Sequence, residues 1–205
     1  GKGKTFISNT HFDTTRANIE FSGAEAIDIP IYEANFPALE HPFKGNLDTV
    51  KLDALITEKG AENIGAVILT VTNNSGGGQP VILANAKAVH DVCKKHGVLY
   101  ILDCCRVAEN AYFIKHREAG MDNKTYEQLA QEMFALADGA IMSAKKDALV
   151  NLGGFLAVQN KALAEACTNL LIITEGFATY GGLSGRDMEA IAIGLQEVFS
   201  ADYLH

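Results

Sequence analysis

Val98-Leu-Tyr-Ile-Leu-Asp-Cys-Cys-Arg106 decides the fold. Its first five residues are an apolar run of strand length. A carboxylate, two thiols and a guanidinium follow at once. Runs of this kind, apolar on both faces and closed by polar residues, are what buried parallel strands look like. Ala66-Val-Ile-Leu-Thr-Val71 is a second, Gly139-Ala-Ile-Met142 a third and Gly154-Phe-Leu-Ala-Val158 a fourth. Ala26–Ile31 alternates more weakly, and Phe6-Ile7-Ser8 reads as a strand end. Between the runs lie helical patterns. Thr49 to Lys59 places Val50, Leu52, Leu55 and Ile56 at helical spacing. Ala84 to His96 stops at Gly97, a C-cap residue. Thr125-Tyr-Glu-Gln128 opens a further helix with a capping box. Asn160 to Leu171 and Gly185 to Ser200 complete the set. Strands alternating with helices predict an α/β fold: one domain over residues 1–205, with a mostly parallel open sheet and helices on both faces.

Composition narrows the function. Of 205 residues, 48% are hydrophobic and 20% charged, a globular balance. The formal charge of −8 argues against a nucleic-acid surface and against docking on an anionic membrane. No apolar run reaches the roughly 20 residues that span a bilayer. The four cysteines, Cys93, Cys104, Cys105 and Cys167, form no C-x-x-C pair and read as reduced thiols of a cytoplasmic protein. Cys93 and Cys167 read as core, as do Phe113, Phe134 and Phe155. The first residue is not Met, which suggests a processed or truncated chain.

In open α/β sheets ligands gather at the carboxyl ends of strands. Three polar clusters fall there. Thr72-Asn-Asn-Ser-Gly-Gly-Gly-Gln-Pro80 allows close backbone approach to a ligand, but it is neither G-x-G-x-x-G nor a P-loop. That disfavours a nicotinamide-dependent oxidoreductase. Asp103 could cap the next helix or pair with a protonated ligand nitrogen, and Arg106 could reach an anionic oxygen. Ser143-Ala-Lys-Lys-Asp147 adds two lysines where solvated charges are not expected. A lysine in a partly dry pocket can form a Schiff base. Acid, arginine and lysine after successive strands match the needs of pyridoxal phosphate.

Those clusters resemble the pyridoxal-phosphate-dependent β-eliminating lyases, the tryptophan indole-lyases and tyrosine phenol-lyases. The similarity runs along the chain through His11-Phe-Asp-Thr-Thr-Arg16, Asn74–Pro80, Glu109-Asn-Ala-Tyr-Phe-Ile-Lys115, Ser143–Asp147, Asn151-Leu-Gly-Gly154, Glu175-Gly176, Tyr180-Gly-Gly-Leu183 and Gly185–Glu189. The resemblance implies the large domain of fold-type I pyridoxal phosphate enzymes. It also implies a carbon–carbon lyase that converts an aromatic amino acid, water included, to an aromatic leaving group, pyruvate and ammonia. Position by position, Lys146 resembles the Schiff-base lysine and Lys145 its neighbour. Ser143 resembles the phosphate serine and Asp103 the partner of the ring nitrogen. Asn74 and Arg106 resemble the groups around the ring oxygen, and Phe12 the stacking aromatic. The Asn151 backbone resembles part of a monovalent-cation (K+) site. Asp13 resembles the tryptophan branch, where a carboxylate can act on the indole nitrogen; the tyrosine branch carries Thr. The pair Cys104-Cys105 departs from the family, which commonly has Ser-Ala or Ala-Thr there. Tyr180 is a further candidate to line the site.

Members of the family are longer at both ends and act as homo-oligomers, tetramers in the family, in which a neighbouring subunit completes the site. This chain therefore resembles the central, cofactor-binding part, and the expectation is that it is inactive or nearly so by itself. A non-catalytic binding or assembly fragment is the rival of another class.

Overall fold

Three of the four apolar runs become inner strands of one six-stranded sheet in a computed structural model that describes residues 1–177 and 184–205; the fourth, Gly154–Val158, is not a buried parallel strand but a largely exposed antiparallel edge. The strands are β1 (Thr5–Ser8), β2 (Glu25–Asp28), β3 (Ile64–Thr70), β4 (Tyr100–Asp103), β5 (Gly139–Ser143) and β6 (Gly154–Val158), in spatial order β2-β1-β3-β4-β5-β6. The first five run parallel. β6 returns antiparallel to β5. The reason is local: residues 144–153 contain no helix, and a parallel return would need a crossover element.

Alternation along the strands splits the core in two. Val67, Leu69, Leu102 and Met142 face α2 (Thr49–Lys59), α3 (Leu83–His96), α4 (Val107–Arg117) and α5 (Tyr126–Leu136), where Leu52, Ile56, Val89, Ile114, Leu129 and Met133 complete the larger cluster. Ala66, Ile68 and Ile101 point the other way and meet Ile19 of α1 (Asp13–Phe21) in a smaller one. Each fully buried Leu or Ile contributes roughly 1.5–3 kcal/mol.

The helices start and stop for identifiable reasons. Asp48 accepts from the Lys51 N–H at 3.0 Å to open α2. Thr125 and Gln128 form the expected capping box, with bonds of 2.9 and 3.2 Å. Gly97 closes α3 in the left-handed region at φ 67°. α6 (Lys161–Thr174) follows the edge strand and buries no residue. Cys167 is therefore half-buried rather than core, because its helix packs mainly against the edge strand β6. The long C-terminal helix expected from 185 to 200 ends at Glu197 as α7 (Gly185–Glu197), and a separate short helix, α8 (Ala201–Leu204), follows with Ser200 at its N-cap. α7 packs tightly: a Cβ at Gly194 would lie 1.8 Å from the Ala148 carbonyl oxygen. Among the described residues no helix is long and apolar enough to cross a membrane.

Candidate active site

Strand order reverses between β1 and β3, and at such a switch point the carboxyl ends open a crevice. Asn9 fastens this point. Its amide donates to the Gly45 carbonyl at 2.7 Å and the Thr70 carbonyl at 2.8 Å, and its oxygen accepts from the Thr70 N–H at 3.0 Å. The residues just after four strands then converge on a cavity of about 380 Å³, inside the usual range for small-molecule sites. Phe12, Thr14 and Thr15 come from the segment after β1, Asn73 and Asn74 from the loop after β3. Asp103, Cys105 and Arg106 follow β4, and Ser143, Lys145 and Lys146 follow β5.

Asp103 sits at the floor, 5% exposed. Burial raises its pKa, opposed by hydrogen bonding from Cys105 and by the charges of Lys146 and Arg106. No cation comes within ion-pair distance among the described residues, and its backbone contact, from the Cys105 N–H, is long at 3.4 Å. Nor does Asp103 cap the next helix. That role falls to Asp147, whose Oδ2 accepts from the Ala108 N–H at 2.7 Å while its own N–H donates to the Cys105 carbonyl at 3.3 Å. Asp147 is 1% exposed. Burial pushes its carboxyl up to about 7. By anchoring α4 it also fixes the chain next to Lys146. The Lys146 Nζ stands 5.7 Å from the centre of the Phe12 ring, and neither it nor the Arg106 guanidinium has an ion-pair partner among the described residues.

This arrangement fits pyridoxal phosphate on its own terms. A buried carboxylate without a counter-ion suits a protonated ring nitrogen, since an unpaired buried charge is costly. A half-buried amine, an aromatic face and a serine at a strand end surround the same space. Pyridoxal phosphate needs these functions from a protein.

Seven of the site residues read from the sequence line the cavity: Phe12, Asn74, Asp103, Arg106, Ser143, Lys145 and Lys146. Asn74 is exposed at the rim, and the buried Asn73 beside it donates to the Thr10 carbonyl at 2.6 Å. Asp13 does not line the cavity. It is exposed at the first turn of α1, where a carboxylate favours the helix dipole. Asn151 is likewise exposed and outside the cavity. Tyr180 and the rest of Tyr180–Leu183 lie outside the described residues. Sequence reasoning passed over Thr14, Thr15, Asn73 and Cys105 as lining groups. It took Phe155 for packing alone, although that ring both packs on the core and lines the cavity. Position directly after a strand was the usable signal for Asn73 and Cys105.

Known proteins resemble the chain in sequence and in fold. The chain is 56% identical over 202 residues to a tryptophanase from Hyphomonas neptunium, covering 98% of this chain and 44% of that one. It is 57% identical over 197 residues to a tryptophanase from Salinibacter ruber, covering 96% and 42%. A tyrosine phenol-lyase from Intrasporangium calvum is 45% identical over 202 residues, 98% and 43%. The chain thus spans less than half the length of the curated relatives it matches. In fold it is similar to a SepCysS–SepCysE N-terminal domain complex (TM-score 0.60, 16% identity, 100% of this chain and 48% of that one). The aminotransferase TlmJ from Streptoalloteichus hindustanus is similar too (TM-score 0.60, 16% identity, 96% and 47%). Residues 2–196 match the family model described as beta-eliminating lyase, and with that span matched the chain belongs to the beta-eliminating lyase family.

Proposed function

We propose that this chain is the cofactor-binding α/β part of a cytoplasmic, homo-oligomeric carbon–carbon lyase that converts L-tryptophan and water to indole, pyruvate and ammonia. One observation carries the reading: Lys146, Asp103, Ser143 and Phe12, from the ends of three different strands, share one cavity. Pyridoxal phosphate, when bound, supplies an electron sink for negative charge at the substrate α-carbon.

The chain's own groups do the rest. With the cofactor bound, the Lys146 Nζ would hold it through its aldehyde and would move the proton at the substrate α-carbon; proton transfer of this kind is typically worth roughly 10² to 10⁴ in rate. The Asp103 carboxylate would keep the proton on the ring nitrogen. The Arg106 guanidinium and the Asn74 amide would bind the ring oxygen, the Ser143 hydroxyl would bind the phosphate, and Phe12 would stack on the ring. Lys145 stands beside these groups. The Asp13 carboxylate acts on the indole nitrogen, which is the reason to favour tryptophan over tyrosine; it must approach from the exposed start of α1. The Asn151 backbone carbonyl is assigned to a K+ site. By itself the chain does not turn over tryptophan, because it spans less than half of the relatives it matches and substrate orientation can supply several kcal/mol of barrier reduction.

Borohydride reduction after mixing with pyridoxal phosphate, followed by peptide mass mapping, tests the reading. A pyridoxyl group confined to Lys146, and lost in Lys146→Ala, is the expected result. Labels scattered over surface lysines would refute it and favour the assembly-fragment alternative. Pyruvate release from tryptophan and from tyrosine by a full-length chain then decides between the two substrates.

A further inference from the structure

Cys105 lies where β4 and β5 stop pairing, and its side chain does what backbone would otherwise do. The Cys104 N–H still follows the strand pattern and donates to the Ile141 carbonyl at 2.9 Å. The Cys104 thiol reinforces that bond by donating to the same oxygen at 3.2 Å. One step further the ladder is continued by sulfur: the Ser143 N–H donates to the Cys105 Sγ at 3.1 Å. The Cys105 main-chain N–H meanwhile points at the Asp103 Oδ1 at 3.4 Å. The residue touches both neighbours at once and lines the same cavity.

We propose that Cys105 is a positioning residue of the cofactor site, its sulfur fixing Ser143 relative to Asp103 so that the group meant for the phosphate and the group meant for the ring nitrogen keep one separation. The inference rests on the pyridoxal phosphate reading of this cavity. Three features make the thiol suitable. It is small enough to leave the cavity open. Its sulfur accepts weakly, which suffices for one N–H whose alternative is an unpaired donor at a half-buried strand end. It also stays protonated: burial, together with the Asp103 charge, pushes it up to about 11. A neutral thiol adds no negative charge beside the carboxylate that must hold a cationic ring.

Cys105→Ala removes the acceptor while leaving the main-chain N–H in place. Cys105→Ser restores an acceptor of similar size. Pyridoxal phosphate binding to the 205-residue chain is measured by absorbance titration, and amide hydrogen exchange is followed at Ser143 without cofactor. The expected result is a loss of about tenfold in pyridoxal phosphate affinity for Cys105→Ala, the upper end for one net hydrogen bond. Pyridoxal, which has no phosphate, loses less. Ser143 exchange accelerates in Cys105→Ala, and Cys105→Ser returns both quantities to within about threefold of the parent value. Equal affinity in Cys105→Ala, or an equal loss for pyridoxal and pyridoxal phosphate, overturns the proposal, as does a folded Cys105→Ser that behaves like Cys105→Ala. Should the unaltered chain form no adduct at Lys146, the cofactor reading falls separately, and Ser143 exchange alone decides whether Cys105 fixes that strand end; unchanged exchange overturns it.

Discussion

α3 and α6 are each 14 residues long, yet they live in different surroundings. α3 lies over the centre of the sheet and buries Leu83, Ala86, Val89 and Cys93. α6 follows the edge strand, buries nothing, and leaves Leu170, Leu171 and Ile173 at 61%, 45% and 83% exposure. Apolar content does not explain this, since α6 carries a Leu-Leu-Ile-Ile run. Place in the sheet does. A helix over interior strands meets side chains from several of them, whereas one beside an edge meets few. Hydrophobic residues create a demand for burial, and topology decides where the demand is met.

The sharpest way to break the comparison is to cut into the central side. Leu102→Ala, at a fully buried position on β4, should cost about 2–5 kcal/mol in urea unfolding. A loss below about 1 kcal/mol would mean that the core is not centred there. Next comes the carboxylate that joins the core to the site. The Asp147 carboxyl is raised from its ordinary 3.8 to about 7 by burial, so the folded chain binds its proton more tightly than the unfolded one. Its contribution is fully present below its unfolded value and is lost as pH rises through about 7. Between about pH 5 and about pH 8 this amounts to roughly 2 kcal/mol. Asp147→Asn keeps an acceptor for the Ala108 N–H but cannot ionise. Its stability should therefore fall less with rising pH than that of the parent, and parallel pH profiles would refute the assignment. Thr125→Ala removes half of the capping box on α5 and should cost about 1 kcal/mol. On the edge side, Ile173→Ser should change stability by less than about 0.5 kcal/mol. A cost like that of Leu102→Ala would show that α6 is covered after all.

Much of the fold was legible because its signals are local. Thr49–Lys59 matches its helix residue for residue, and the Thr125–Gln128 box needs only four residues to recognise. Helices α1 and α4 escaped notice. α4 carries a fully buried Asn110 in the midst of its apolar face, where it bonds the Val81 N–H at 2.8 Å and the Val81 carbonyl at 3.0 Å. A polar residue satisfied by a distant loop interrupts the pattern that announces a helix. The antiparallel turn into β6 was hidden because direction depends on what fills a connection, not on what the strand contains. At the site, Lys146, Asp103 and Ser143 were readable from strand-end position and resemblance. Asp147 was not, since its work is done on Ala108, 39 residues earlier.

Gly194 has a consequence beyond packing. Any side chain at that position must displace the Ala148 carbonyl, two residues from the lysine at the heart of the cavity. The outer helix and the loop that carries Lys146 therefore touch directly, backbone against backbone. A side chain introduced at position 194 would have to move either α7 or the Ala148 carbonyl, so the width of that one contact sets how far helix and loop can be pushed together.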